Sequence, residues 1–110
     1  MVERRIIKLA RICIESEIQK AKAAHFIEGS LGTLNTLKNL REDLMNLENG
    51  NMEEKDKILK AYYGAIVLRK EAEYNHFVRT NKTNLKKLDA AVKLEKRLCK
   101  MWVEVSTDSI

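Results

Sequence analysis

The sequence predicts an all-α protein built as an up-and-down four-helix bundle. The 110 residues include no proline and only four glycines, the two residues that most often end helices and form tight turns. The chain is rich in Leu, Lys, Glu and Ala, which favour helices. Its apolar residues return at helical spacing, and no segment shows the alternation typical of a strand. Long helices with short connections are therefore expected.

The first helix is predicted over residues 2–27. Its apolar positions recur every three or four residues: Ile6, Leu9, Ala10, Cys13, Ile14, Ala21 and Ala24. Gly29 is placed to end this helix in the left-handed conformation. Ser30 or Thr33 is placed to cap the helix that follows.

The second helix is predicted from residue 31 or 34 to residue 48. It carries a narrow stripe of the width of a coiled-coil seam, made of Leu34, Leu37, Leu40, Leu44 and Leu47. Asn49, Gly50 and Asn51 end the pattern. Asn51 with Glu54 is predicted to form a capping box for the next helix.

The third helix, predicted over residues 52–80, is the most apolar. Its wide stripe predicts contacts with two neighbours, and Gly64 either lets one of them approach closely or is merely tolerated. The fourth helix is predicted over residues 83–105. Its expected buried side consists of Leu85, Leu88, Ala91, Val92, Leu98, Cys99, Trp102 and Val105.

The connection between these last two helices is the least marked in the sequence. Residues 81–84 hold neither Gly nor Pro, and at about 100° per residue the two apolar stripes differ in phase by only about 50°. The runner-up fold is therefore a three-helix arrangement whose long, continuous last helix needs a second chain to cover it, as a dimer. In the preferred fold, residues 1–105 form a single helical-bundle domain and residues 106–110 a flexible C-terminal tail.

Composition limits the classes of function. The two cysteines lie far apart without a CxxC motif, as expected of buried free thiols in a reducing compartment. No apolar run approaches the length of a membrane span, so we expect no transmembrane insertion and an intracellular, cytoplasmic or nuclear protein. The net charge is +5, and residues 78–100 hold eight basic and two acidic side chains.

Several charged residues fall on the apolar faces of the predicted helices: Glu17, Arg69, Glu73, His76 and Glu95. A buried charge is costly unless it is paired. The pattern therefore predicts a buried polar layer between helices, with Arg69 paired to Glu17 or Glu95. Side chains that reach past a thin core into solvent are the alternative.

Two chemical interpretations of the same residues stay open. Glu73 and His76 form a Glu-x-x-His pair, which places two metal ligands on one helix face, as in di-iron bundles. Arg69 and His76 stand seven residues apart, a spacing that resembles the Arg-x4–6-His signature of the HEPN ribonucleases, which are small dimeric four-helix domains. That family usually places a small polar residue directly after the Arg, where this chain has Lys70. The resemblance implies an RNA-processing nuclease with Arg69 and His76 as catalytic candidates.

A basic stripe is the clearest surface feature of the sequence. Four of its members fall on one side of the fourth helix: Lys86, Lys93, Arg97 and Lys100. Lys82 extends the stripe if the helix continues backward. Cations on a rigid helix suit phosphate contacts, which give affinity without sequence specificity. No aromatic residue is interleaved with them, so base stacking is not indicated. A solvated face, an acidic partner protein and an anionic membrane surface are the alternatives.

These features favour a non-enzymatic helical interaction or assembly module. We expect an accessory subunit of a nucleoprotein or other multi-protein complex, either a homo-oligomer or bound to a helical partner protein. The HEPN-like nuclease and the metal-binding bundle, both built on Arg69, Glu73 and His76, are the alternatives. No nucleophile with an adjacent base, phosphate loop or zinc spacing is found. We therefore expect no cofactor or metal and identify no small-molecule substrate.

Overall fold

The chain forms an all-α, up-and-down four-helix bundle, as the sequence predicts. The structure, a computed structural model, describes residues 2–108 and the side chains of residues 4–107. The helices are α1 (Val2–Glu28), α2 (Leu31–Glu48), α3 (Glu54–Val78) and α4 (Lys82–Asp108). No strand occurs within the described part of the chain.

The helices α1 and α3 form the middle of the bundle. The main contacts join α1 to α2, α1 to α3 and α3 to α4, so α3 has the two neighbours that its wide stripe predicts. The core is mostly aliphatic and draws most heavily on α1: Ile6, Leu9, Ala10, Ile14, Ile18, Ala21, Leu37, Leu47, Ile58, Ala61, Ala65 and Leu98. The leucine stripe of α2 packs onto this core from within the same chain, with Leu40 and Leu44 at its edge.

A glycine allows α1 and α3 to approach closely. A Cβ atom added at Gly64 would lie 1.9 Å from the backbone oxygen of Leu9. The helix backbones therefore touch where the side chain is missing, and of the two interpretations of Gly64, close approach is confirmed.

The turn between α1 and α2 follows the predicted capping pattern. Gly29 has φ of 60°, and its amide donates to the His25 carbonyl at 2.7 Å. Ser30 caps α2, since its hydroxyl accepts from the Thr33 amide at 3.2 Å. At the next turn the predicted capping box of Asn51 and Glu54 is wrong. The helix begins two residues later than expected, and Glu53 occupies the cap position without a side-chain hydrogen bond.

The runner-up fold with one continuous last helix is excluded, because α3 ends at Val78 and α4 begins at Lys82. Arg79 is extended, with φ of −139° and ψ of 94°. The side-chain oxygen of Asn81 accepts from the Asn84 amide at 2.8 Å. The side-chain amide of Asn84 donates to the carbonyls of Arg79 at 2.7 Å and Asn75 at 3.2 Å. Two asparagines therefore form this turn, which the sequence does not mark with glycine or proline.

The last helix differs from its prediction in its C-terminal end and in the burial of one leucine. It continues to Asp108, so residues 106–108 are helical, while residues 109 and 110 of the predicted tail lie outside the described residues. Leu85, expected on the buried side, is about half exposed. No helix in the described part of the chain is both long and apolar enough to cross a membrane.

The bundle is elongated. Its radius of gyration is 15.8 Å, whereas a compact domain of about 100 residues has roughly 13 Å. Its accessible surface is 7962 Å², against roughly 6,200 Å² for a compact monomer of this mass. Four helices that pack mainly as a chain of neighbours leave more surface uncovered than a closed bundle would.

Candidate phosphate-binding face and polar cluster

The basic stripe lies on the side of α4 that faces away from the bundle. All five of its members are exposed: Lys82, Lys86, Lys93, Arg97 and Lys100. On the opposite side of the helix, Leu98 is buried and Trp102 is half-buried against the core. We call these five residues the α4 basic face. It runs from residue 82 to residue 100, about 27 Å at 1.5 Å per residue.

Few acids offset this charge. Within the described residues, Lys93 makes the one ion pair of the α4 basic face, to Asp89 at 3.1 Å. Both of these side chains are mostly exposed, and such surface pairs contribute little free energy. Glu95 pairs with Arg69 on α3 and so does not neutralise the cations of the α4 basic face. An incoming anion therefore meets cations that are largely free to rearrange.

Arg5 extends the basic region onto α1. It lines a groove of about 250 Å³ together with Arg97 and Met101. It also borders a second groove, of about 380 Å³, that Lys87 and Glu71 line. The sequence marks an excess of basic residues near its start, but only the fold, which places the start of α1 across a groove from α4, brings Arg5 to this surface.

The predicted polar layer is divided between two places. Arg69 donates to Glu95 on α4 through Nε, and through Nη1 to Glu73 at 2.6 Å. Glu17 lies elsewhere, on the α1–α3 side, where it pairs with Lys60 at 3.5 Å. Of the two partners predicted for Arg69, Glu95 is therefore the observed one.

Burial within this cluster is uneven. The side chains of Arg69 and Glu95 are 24% and 19% exposed, while that of Glu73 is about half exposed. Hydrogen bonds to Glu73 and then to Glu95 raise the pKa of Arg69 above its ordinary value. The guanidinium is thus permanently charged and matched by two carboxylates, an arrangement that fastens α3 to α4.

His76 lies two helical turns beyond Arg69 on α3 and is half-buried. Its Nδ1 atom is buried without a hydrogen-bond partner in the described part of the structure.

The nuclease and metal interpretations both depend on this cluster. In the nuclease interpretation, an RNA phosphate that binds Arg69 would have to displace Glu73 or Glu95 from it. Among the described residues, no three His, Cys, Asp or Glu side chains come close enough together to hold a metal ion.

Cys13 is a buried thiol in the contact between α1 and α3. The Cys13 thiol donates to Glu17 Oε1 at 3.6 Å. Burial, and after it the negative charge of Glu17, raises the pKa of Cys13 to about 11. The thiol is therefore neutral and unreactive near neutral pH.

No protein-family model, curated protein or solved structure matches the chain.

Proposed function

We propose that the protein is a non-enzymatic interaction module that binds the phosphate backbone of nucleic acid through the α4 basic face. In this role it serves as an accessory subunit of a nucleoprotein complex, in the cytoplasm or the nucleus. The observation that carries the proposal is the outward arrangement of the five cations over about 27 Å of one helix.

The geometry favours backbone contact over base recognition. Lys86, Lys93 and Lys100 recur every seven residues, about 10 Å apart along the helix. Lysines are mobile point charges that suit phosphates. No Phe, Tyr or Trp of α4 accompanies them on the α4 basic face, so stacking on bases is not part of the proposal. Binding should be insensitive to sequence and sensitive to salt.

The test is the affinity for a random-sequence DNA duplex as a function of salt. If all five cations contact phosphates, the logarithm of the binding constant falls with a slope of up to about −4.5 against the logarithm of salt concentration. The triple variant Lys93→Gln, Arg97→Gln, Lys100→Gln should lower that slope to about −2.

A matched control removes the same charge elsewhere. Lys20, Lys22 and Lys38 are exposed on α1 and α2, and their combined change to Gln should leave the slope near its original value. Equal losses in the two triple variants would reduce the effect to net charge and contradict the proposal. Retention on polyglutamate but not on duplex would contradict it as well and would indicate an acidic protein partner.

The nuclease alternative is tested by His76→Ala, which should abolish any RNA cleavage that depends on Arg69 and His76. The pairing of Arg69 with Glu73 and Glu95 favours the structural role of this cluster over the catalytic one. Elemental analysis for iron or zinc tests the metal-binding alternative.

A further inference from the structure

One side of α3 is largely apolar, and among the described residues it takes no part in the core cluster. The contact with α1 is made around Gly64 and that with α4 around Arg69. The remaining side of α3 faces neither α1 nor α4 and points away from the core. We call it the α3 outer face, and its members are Leu59, Tyr63, Ile66, Val67, Lys70, Tyr74 and Phe77.

The exposure of the aromatic residues is high. Tyr63, Tyr74 and Phe77 are 45%, 67% and 85% exposed, although each ring offers roughly 150–250 Å² of surface to bury. The ring of Tyr63 lies near that of the adjacent Tyr62, with 5.8 Å between the ring centroids. Contiguous exposed apolar surface of this kind commonly marks a contact with another protein.

The uncovered area is more than enough for a dimer interface. The accessible surface exceeds that of a compact monomer of this mass by roughly 1,700 Å². A standard interface buries about 800 Å² of each partner, so the excess on one copy is about twice what its side of such an interface needs. The α3 outer face, about 27 Å long from Leu59 to Phe77, is large enough to form the centre of such an interface.

We propose that a second copy of this chain covers the α3 outer face, with the two α3 helices antiparallel about a two-fold axis near Val67. This inference is independent of the proposed nucleic-acid binding, because it uses a different face of a different helix.

Charge selects the antiparallel direction. The first turn of α3 carries Glu54, which pairs with Lys57 at 3.2 Å, and Asp56, while Arg79 follows the last turn. Within the described residues, neither Asp56 nor Arg79 makes an ion pair inside the chain. An antiparallel pair sets Asp56 of each copy against Arg79 of the other, whereas a parallel pair would place each of these charges beside its own like charge.

The middle of the face is also self-complementary in this register. The midpoint between Asp56 and Arg79 falls beside Val67. A two-fold axis between Ile66 and Val67, one residue from this midpoint, brings Lys70 of one copy to Tyr63 of the other. A lysine ammonium over a tyrosine ring is favourable, and the lysine stem covers apolar surface.

The first experiment is sedimentation equilibrium on the whole chain at micromolar concentration. The wild-type chain should have twice its 12.7 kDa mass. Combining Tyr74→Ser with Phe77→Ser should raise the dimer dissociation constant by roughly 100-fold or more, because two aromatic anchors leave each copy. The helical circular dichroism should be unchanged, since both side chains are exposed.

The control uses an equally exposed apolar site at another corner of the molecule. Phe26 and Ile27 are 90% and 82% exposed beside the α1–α2 turn, and changing both to Ser should leave the dimer intact. A monomeric wild-type chain, or dissociation by the control pair instead of the Tyr74 and Phe77 pair, would overturn the proposal.

Disulfide trapping tests the direction. Val67→Cys should cross-link two copies under mild oxidation, because residues near the axis approach their own symmetry mates. Tyr74→Cys should not, since it would lie roughly 20 Å from its mate, far beyond disulfide reach. The wild-type chain controls for Cys13 and Cys99. Cross-linking through Tyr74→Cys but not Val67→Cys would overturn the antiparallel arrangement.

Discussion

The central helix α3 makes two contacts of different character. Its contact with α1 is fixed by shape, since Gly64 lets the backbone of α3 reach that of Leu9 among aliphatic side chains. Its contact with α4 is fixed by polar groups. Arg69 pairs across the helices with Glu95, and Asn81 and Asn84 build the turn that joins them.

The two contacts should therefore respond differently to substitution. A close backbone approach tolerates no added atom, because packed cores cannot yield by more than small amounts. A half-exposed ionic contact can exchange its partners for water at moderate cost. We therefore expect substitutions in the α1–α3 contact to act mainly on global stability and those near the α3–α4 turn to have smaller effects.

The largest effect should come from Gly64→Ala. The new methyl group would overlap the Leu9 carbonyl, so the helices must separate, and we expect a loss of about 3 kcal/mol despite the roughly 1 kcal/mol that Ala gains in helix propensity. Urea unfolding measures it. The control is Gly32→Ala, where the added Cβ meets nothing closer than 3.8 Å and stability should change by less than about 1 kcal/mol. Similar small effects in both variants would mean that the α1–α3 contact is not limited by shape.

A second effect on the α1–α3 contact should appear at alkaline pH. The pKa of Cys13 is raised from its ordinary 9.0 to about 11, so the folded state holds this proton more tightly than the unfolded state. Its contribution is fully present below pH 9 and is lost as the pH rises towards 11, on the order of 2–3 kcal/mol in all. Cys13→Ala should remove this part of the pH dependence, as urea unfolding across that range would show. Parallel curves for the two proteins would contradict the assignment.

Much of the fold can be predicted from the sequence, because the spacing of apolar residues along each helix indicates which side is buried. The aliphatic positions of α1 and the leucines of α2 pack where their spacing places them. The turn at Gly29 and Ser30 follows because a left-handed residue and a cap are strong local preferences. The exposed position of the α4 basic face follows from the same periodicity.

The remaining features depend on contacts between segments distant in sequence. Whether Arg69 meets Glu17 or Glu95 depends on which helix packs beside α3. That Arg5 approaches Arg97 depends on the placement of α1 beside α4. The sequence does not distinguish the apolar α3 outer face from the buried sides of α3, because a wide apolar stripe gives no single direction to the core.

The smallest effect should come from the α3–α4 turn, where Asn81 caps α4 through its hydrogen bond to the Asn84 amide. Asn81→Ala removes that acceptor and should cost about 1 kcal/mol, whereas Asn81→Ser keeps an acceptor and should change stability by only a few tenths. Urea unfolding gives both values, and amide hydrogen exchange at residues 83–85 should quicken in the Ala variant alone, because the first turn of α4 loses its cap. If Ala and Ser behave alike, the turn is held by the Asn84 side chain and its bonds to the Asn75 and Arg79 carbonyls. The polar contact would then depend on the end of α3 rather than on the start of α4.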